Sequence, residues 1–287
     1  MKIGDIIIGT ANFGSEKYGI KNKKTNSINK IKSIITFAKL KGLNKLDTSM
    51  EYKGVYKNLS KINLKEWKVS SKFTLKRYKN NVIKNFIKDF DESLMELKIK
   101  KYDILSFHNI EDLKHKNISE IIKLLKIFKK KNLINKIGIS LNDPNEIKTV
   151  KNKFKPDIVQ LPFNLLDRRI LNKKLLKEYS GITIQVRSIF LQGLLLMNYQ
   201  DRRKNDNREI LLKLDKWINL KKIKRYQTCI NFINNFTFFK TCVIGVNTRS
   251  DISQFLKAIS DNSKKFPHDI SSNNLNLIEP RKWKKLV

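Results

Sequence analysis

Four side chains of this 287-residue chain would make a proton-transfer device if the backbone brought them together: Asp47, Tyr52, Lys72 and His108. A tyrosine has an unperturbed pKa near 10, too high for an efficient acid at neutral pH. A neighbouring lysine ammonium stabilises the phenolate and lowers that value, while a carboxylate holds the lysine charged and in place. A histidine beside the tyrosine orients a carbonyl oxygen by hydrogen bonding. Such a group protonates a carbonyl oxygen while hydride arrives at carbon. Asp47 and Tyr52 share the stretch "LDTSMEY", Lys72 lies in "VSSKF" and His108 in "ILSFHN". Each has a blander reading: a strand-end cap, a rim aromatic, one lysine among many, a core histidine. Their place at successive strand ends is what favours chemistry. His115 and His268 fall on polar, loop-like stretches and read as surface residues.

The elements that must position these residues alternate along the whole chain. Short β-branched runs read as strands: "DIIIGTANF", "NKLDTS", "WKVSSKF", "YDILSFHN", "NKIGISL", "DIVQLPF", "ITIQVRSIF" and "TCVIGV". Between them lie amphipathic stretches such as "INKIKSIITFAKLKG", in which Ile31, Ile34, Ile35 and Ala38 share one face. Ser27 suits the first helix as a cap, Asn117 or Ser119 the fourth, and Asp143-Pro144 the start of the fifth. Eight such units predict an α/β fold, a (β/α)8 TIM barrel forming a single domain over residues 1–262. Residues 263–287 read as a loop-like tail packed on or near it, and 198–207 as an exposed insertion. An open doubly wound sheet would usually carry a glycine fingerprint, and "GTANFG" is not G-x-G-x-x-G. In a barrel, chemistry collects at the carboxyl ends of the strands, where all four residues fall.

A formal net charge of +35 invites a nucleic-acid reading. Yet only 10 of the 61 basic residues are arginine, the side chain suited to bidentate phosphate contacts, and the lysines are spread along the chain. A solvated basic surface is expected, without a specific nucleic-acid partner. Cys229 and Cys242 lack metal-ligand spacing and read as reduced core residues of a cytoplasmic protein; no metal site is expected. The apolar run in "MKIGDIIIGT" is too short for a signal peptide, and no stretch approaches the ~20 apolar residues of a membrane span.

With those motifs in order over nearly the whole length, the chain resembles the aldo-keto reductases. "IIIGTANFGSEKYGI" is similar to the family's first strand, "LDTSMEY" to its D-x-x-x-x-Y motif, and Lys72 and His108 fall where it keeps a lysine and a histidine. The resemblance implies Tyr52 as general acid, Lys72 lowering its pKa, Asp47 holding Lys72 and His108 orienting substrate. It also implies a cofactor, NADP or NAD, bound by Thr10, Asp47, Ser140, Gln160, Arg187, Ser188, Gly245 and Gln254. Several positions depart from the family pattern. Lys53 precedes Gly54 in the loop after the tyrosine, Leu141 takes a frequent Asn position beside Asn142, Arg187 replaces an aromatic, and Asp251 replaces an Arg, with Arg249 nearby. The ending "IEPRKW" is similar to members found with surface-polysaccharide biosynthesis, which makes a sugar-derived carbonyl a candidate substrate.

The function expected is an NAD(P)H-dependent reductase of a small-molecule carbonyl. The alternative keeps the fold and cofactor pocket but makes the protein a redox-sensing or binding module with little turnover. An aldolase-like Schiff base on Lys72 is disfavoured by the carboxylate of Asp47. Oligomeric state is left open.

Overall fold

β-Branched runs bounded by polar turns become strands here, and the amphipathic stretches between them become helices. The computed structural model describes residues 1–16, 19–20, 26–198, 208–260 and 265–283. The strands are β1 (Ile6–Gly9), β2 (Lys45–Asp47), β3 (Lys68–Phe73), β4 (Tyr102–Phe107), β5 (Ile134–Ser140), β6 (Ile158–Pro162), β7 (Thr183–Arg187) and β8 (Thr241–Gly245). The helices are α1 (Ile28–Leu40), α2 (Val55–Leu59), α3 (Val82–Leu97), α4 (Ile118–Lys130), α5 (Ile147–Lys151), α6 (Lys173–Lys177), α7 (Arg208–Lys221), α8 (Arg225–Asn234), α9 (Arg249–Ser260) and α10 (Leu275–Ile278). All eight strands pair in parallel, in chain order, and β8 closes on β1. This is the (β/α)8 barrel that the alternation predicts.

Local chemistry accounts for the helix starts. Ser27 accepts the Lys30 amide at the head of α1, whose buried face is Ile31, Ile34, Ile35 and Ala38. At Asp143-Pro144 a short 3-10 turn precedes α5, the Asp143 carboxylate accepting from the Asn145 amide. Asn117 takes the cap position of α4 but makes no capping bond with its side chain, and Ser119 lies inside the helix. Residues 199–207 of the expected insertion lie outside the described residues.

Two features of the barrel bear on the site. On β5–β8, Ser140, Gln160, Gln185 and Thr241 stand side by side in register, giving a polar row inside an otherwise aliphatic interior. The stretch after residue 262 is less loop-like than its composition suggests. It buries Phe266, Ile270, Leu277 and Ile278 and forms the helical turn α10. Arg168 ties it to the loop after β6, donating to the carbonyls of Pro267 and His268 at 2.7 Å each. Half-buried Arg169 pairs with both Asp167 (2.8 Å) and Glu279 (3.3 Å). Among the described residues no helix is long and apolar enough to cross a membrane.

Ser106, Gly138 and Ile158 lie abreast on β4, β5 and β6. A Cβ on Gly138 would meet Ser106 Oγ at 2.4 Å and Ile158 Cγ2 at 2.8 Å. Gly138→Ala should therefore destabilise the barrel by about 1–3 kcal/mol through overpacking, read as a lower midpoint in urea or thermal unfolding. An unchanged midpoint would show that these strands yield more readily than their spacing implies.

Candidate active site

The strand ends bring the four residues of the first motif to one mouth. Asp47 closes β2, Lys72 lies one residue before the end of β3, and His108 directly follows β4. The Lys72 ammonium reaches back to Asp47 Oδ2 at 2.5 Å and also donates to the Thr48 carbonyl at 3.3 Å. Both side chains are almost wholly buried. Burial pulls the lysine below its ordinary pKa, and the Asp47 carboxylate pulls against it; the nearby Arg187 adds to the lowering.

Asp47 is held from its other side as well. Gln160 Nε2 donates to Asp47 Oδ1 at 3.0 Å and to Gln185 Oε1 at 2.5 Å, while Gln185 Nε2 donates to Thr241 Oγ1 at 3.0 Å. The polar row of the barrel thus continues from Lys72 through Asp47 to β8. With its amide nitrogen committed to two acceptors, Gln160 turns its oxygen toward the mouth.

Tyr52 stands edge-on to the His108 ring, 6.0 Å between centroids. Lys53, the residue that departs from the family spacing, is fully exposed and pairs with Glu16 at 2.8 Å, leaving Tyr52 at the mouth. Ser49 Oγ lies 3.2 Å from His108 Nδ1 and 3.3 Å from the Lys72 carbonyl oxygen, and its single hydroxyl proton can serve either. Burial first, then the charges of Lys72 and Arg187, push the imidazole down to about 3. At neutral pH His108 is uncharged, able to donate or accept one hydrogen bond but not to attract an anion.

The mouth opens into a cavity of about 370 Å³. Its inner end is lined by Asp47, Tyr52, Gln160 and Arg187, its outer end by Tyr226, Asn247, Asp251 and Gln254. Thr10, Ser188 and Gly245 line it between these ends. Of the residues the resemblance points to, Lys72 and His108 stand behind the lining, and Ser140 is the exception among those assigned to the cofactor. It is buried beside Gln160 and does not line the cavity. The Arg187 guanidinium reaches across to that side instead, donating to the Leu141 carbonyl at 3.1 Å and to Asn142 Oδ1 at 2.7 Å. Ser188, Leu191, Gln192 and Gly193 all have positive φ, so the loop after β7 is held in a conformation that non-glycine residues rarely adopt.

Sequence reasoning missed Ser49 and marked Asp251 only as a departure from the family pattern. Ser49 sits two residues past the motif aspartate, with no spacing rule to mark it. Asp251 had a readable signal: Thr248 and Asp251 form a reciprocal capping box, the Thr248 amide on Asp251 Oδ2 at 3.0 Å and the Asp251 amide on Thr248 Oγ1 at 3.1 Å.

Comparison with known proteins agrees with this fold. Residues 5–269 match the model of the Aldo/keto reductase family. Among solved structures, the holo form of aldo-keto reductase AKR11C1 from Bacillus halodurans superposes with a TM-score of 0.68 at 19% identity, covering 90% of this chain and 87% of its own. The glycerol dehydrogenase AKR11B4 from Gluconobacter oxydans gives 0.68 at 17% identity, over 90% and 86% of the two chains. None of the curated proteins matches the sequence.

The depressed pKa of His108 has a consequence for folding. An unfolded chain titrates this histidine near 6.5, the folded protein at about 3. Its contribution to stability is present above about pH 6.5 and is lost as pH falls toward 3. Between pH 7 and pH 5 the loss is about 2 kcal/mol. Urea unfolding at those two pH values should show His108→Gln losing less stability than the parent by about this amount. Equal losses in the two proteins would mean that the imidazole is solvated.

Proposed function

The chain belongs to the aldo/keto reductase family, and on that premise we propose that it is an NAD(P)H-dependent reductase of a small-molecule carbonyl, with Tyr52 as the proton donor. The observation that carries this reading is the buried Asp47–Lys72 pair beside a mouth that holds both Tyr52 and an uncharged His108. Glycerol dehydrogenase activity in a structural relative makes polyol-derived and sugar-derived carbonyls the first substrates to try.

The residues present fit a nicotinamide dinucleotide. The outward-facing amide oxygen of Gln160 suits a carboxamide donor, and the cavity runs from there between the loops after β7 and β8. Thr10, Asp47, Ser188, Gly245 and Gln254 would line its path, with Ser140 supporting Gln160 from behind. When bound, the cofactor supplies hydride to the carbonyl carbon. The protein's own part is the proton. Tyr52 gives its phenolic proton to the carbonyl oxygen, and the positive charge of Lys72 stabilises the phenolate left behind. Asp47 keeps Lys72 aimed and charged. His108, neutral and with Nδ1 accepting the Ser49 hydroxyl proton, donates from Nε2 to the same oxygen and fixes the carbonyl in reach. Free buried cysteines suit a reducing, cytoplasmic setting.

The test is steady-state oxidation of NADH and NADPH with a panel of small aldehydes, ketones and aldoses. Tyr52→Phe should cut turnover by at least ~100-fold while thermal unfolding and nucleotide binding stay near the parent. His108→Ala should raise KM more than it weakens nucleotide binding. A Tyr52→Phe variant as active as the parent would remove the proposed proton donor.

A further inference from the structure

Resting on the reading above, the geometry points to Asp251 as the residue that makes this protein select NADH over NADPH. The cavity has two ends of opposite character. Asp47, Tyr52, Gln160 and Arg187 meet at the barrel axis, whereas Tyr226, Asn247, Asp251 and Gln254 stand outside it, on α8, α9 and the turn before α9. Carbonyl chemistry at Tyr52 assigns the nicotinamide to the inner end. The adenosine half of the dinucleotide must then lie toward the outer end. The two nucleotides differ only there, in a 2′-phosphate.

The outer end is built against that phosphate. Backbone amides at the start of a helix commonly receive an anion, but here the amides of Asn247 and Thr248 already donate to Asp251 Oδ2, at 2.7 and 3.0 Å. A carboxylate therefore occupies the place a phosphate would need. Among the described residues Asp251 is also the only charged side chain lining that end of the cavity; the nearest cation in sequence, Arg249, is exposed and lines none of it. A phosphate dianion would meet a fixed negative charge. A ribose 2′-hydroxyl would meet an acceptor, because Oδ1 has no hydrogen-bond partner among the described residues. Phe190 and Tyr226, stacked with centroids 4.7 Å apart, add an aromatic wall to the same region.

A capping box alone would account for the two amide bonds, so the test separates charge from cap. The Asp251→Asn variant keeps an oxygen acceptor for the cap and removes only the charge. Direct titration of NADH and NADPH by nucleotide fluorescence, at 0.15 M salt where the screening length is about 8 Å, limits the pull of the lysine-rich surface on the more charged nucleotide. The parent should bind NADH at least about tenfold more tightly than NADPH. Asp251→Asn should narrow that ratio several-fold, chiefly by improving NADPH, with little change in unfolding midpoint. A parent that prefers NADPH, or a ratio unchanged in Asp251→Asn, overturns the assignment while leaving the reductase reading intact. Failure of both nucleotides to bind the parent sinks both readings.

Discussion

Every part of the site leans on one buried ion pair, Lys72 with Asp47. Taking both charges out of water costs several kcal/mol each, and the attraction between them repays that only when the remaining polar atoms are also satisfied. Here they are: the second Asp47 oxygen accepts from Gln160, and Lys72 has a further acceptor in the Thr48 carbonyl. The requirement propagates. Gln160 must be a donor to Asp47, which sends its second bond to Gln185 and Gln185 in turn to Thr241. A row of polar side chains across four strands follows from the need to hold one carboxylate. The same row leaves the Gln160 oxygen facing the mouth, so the arrangement that stabilises the pair also creates a recognition group.

Charge around the pair is arranged in a graded way. Arg187 lies close enough to lower both Lys72 and His108, and its own bonds run to neutral acceptors: Ser188 Oγ, the Leu141 carbonyl and Asn142 Oδ1. The inner end of the cavity is therefore biased positive and the outer end, at Asp251, negative. A neutral His108 is a direct result. An imidazole already deprived of water cannot gain a proton beside two cations, so it remains a hydrogen-bonding group rather than a charged one.

Much of this was legible in the sequence because it is carried by local pattern. Short β-branched runs marked all eight strands, and the motif residues fell at their carboxyl ends because strand ends are where the apolar pattern stops. The alternation of strands and helices was enough for the barrel. What escaped depends on contacts between distant segments. Nothing in "NLLDRR" shows that Arg168 will grip the carbonyls of 267 and 268, or that Arg169 will meet Glu279 more than a hundred residues on. The polar stretch after 262 looked like loop because its four apolar anchors are few and set among Ser, Asn, Asp and Pro. The Arg187 bonds to the Leu141 carbonyl and to Asn142 have the same origin: they join distant segments that no spacing relates.

The lysine-rich composition sharpens the case for Lys72 instead of diluting it. Among the described residues Lys72 is the only buried lysine; the others, where described, keep at least part of their side chains in water. Whatever drift loaded this chain with lysine was free to act where the ammonium remains solvated, and desolvation closes the barrel interior to it. A lysine persists there only if a carboxylate meets it, and the carboxylate only if the barrel offers it further donors. Background composition therefore cannot explain this residue. Its burial, its 2.5 Å bond to Asp47 and the polar row behind that bond are one requirement seen at three distances from the mouth.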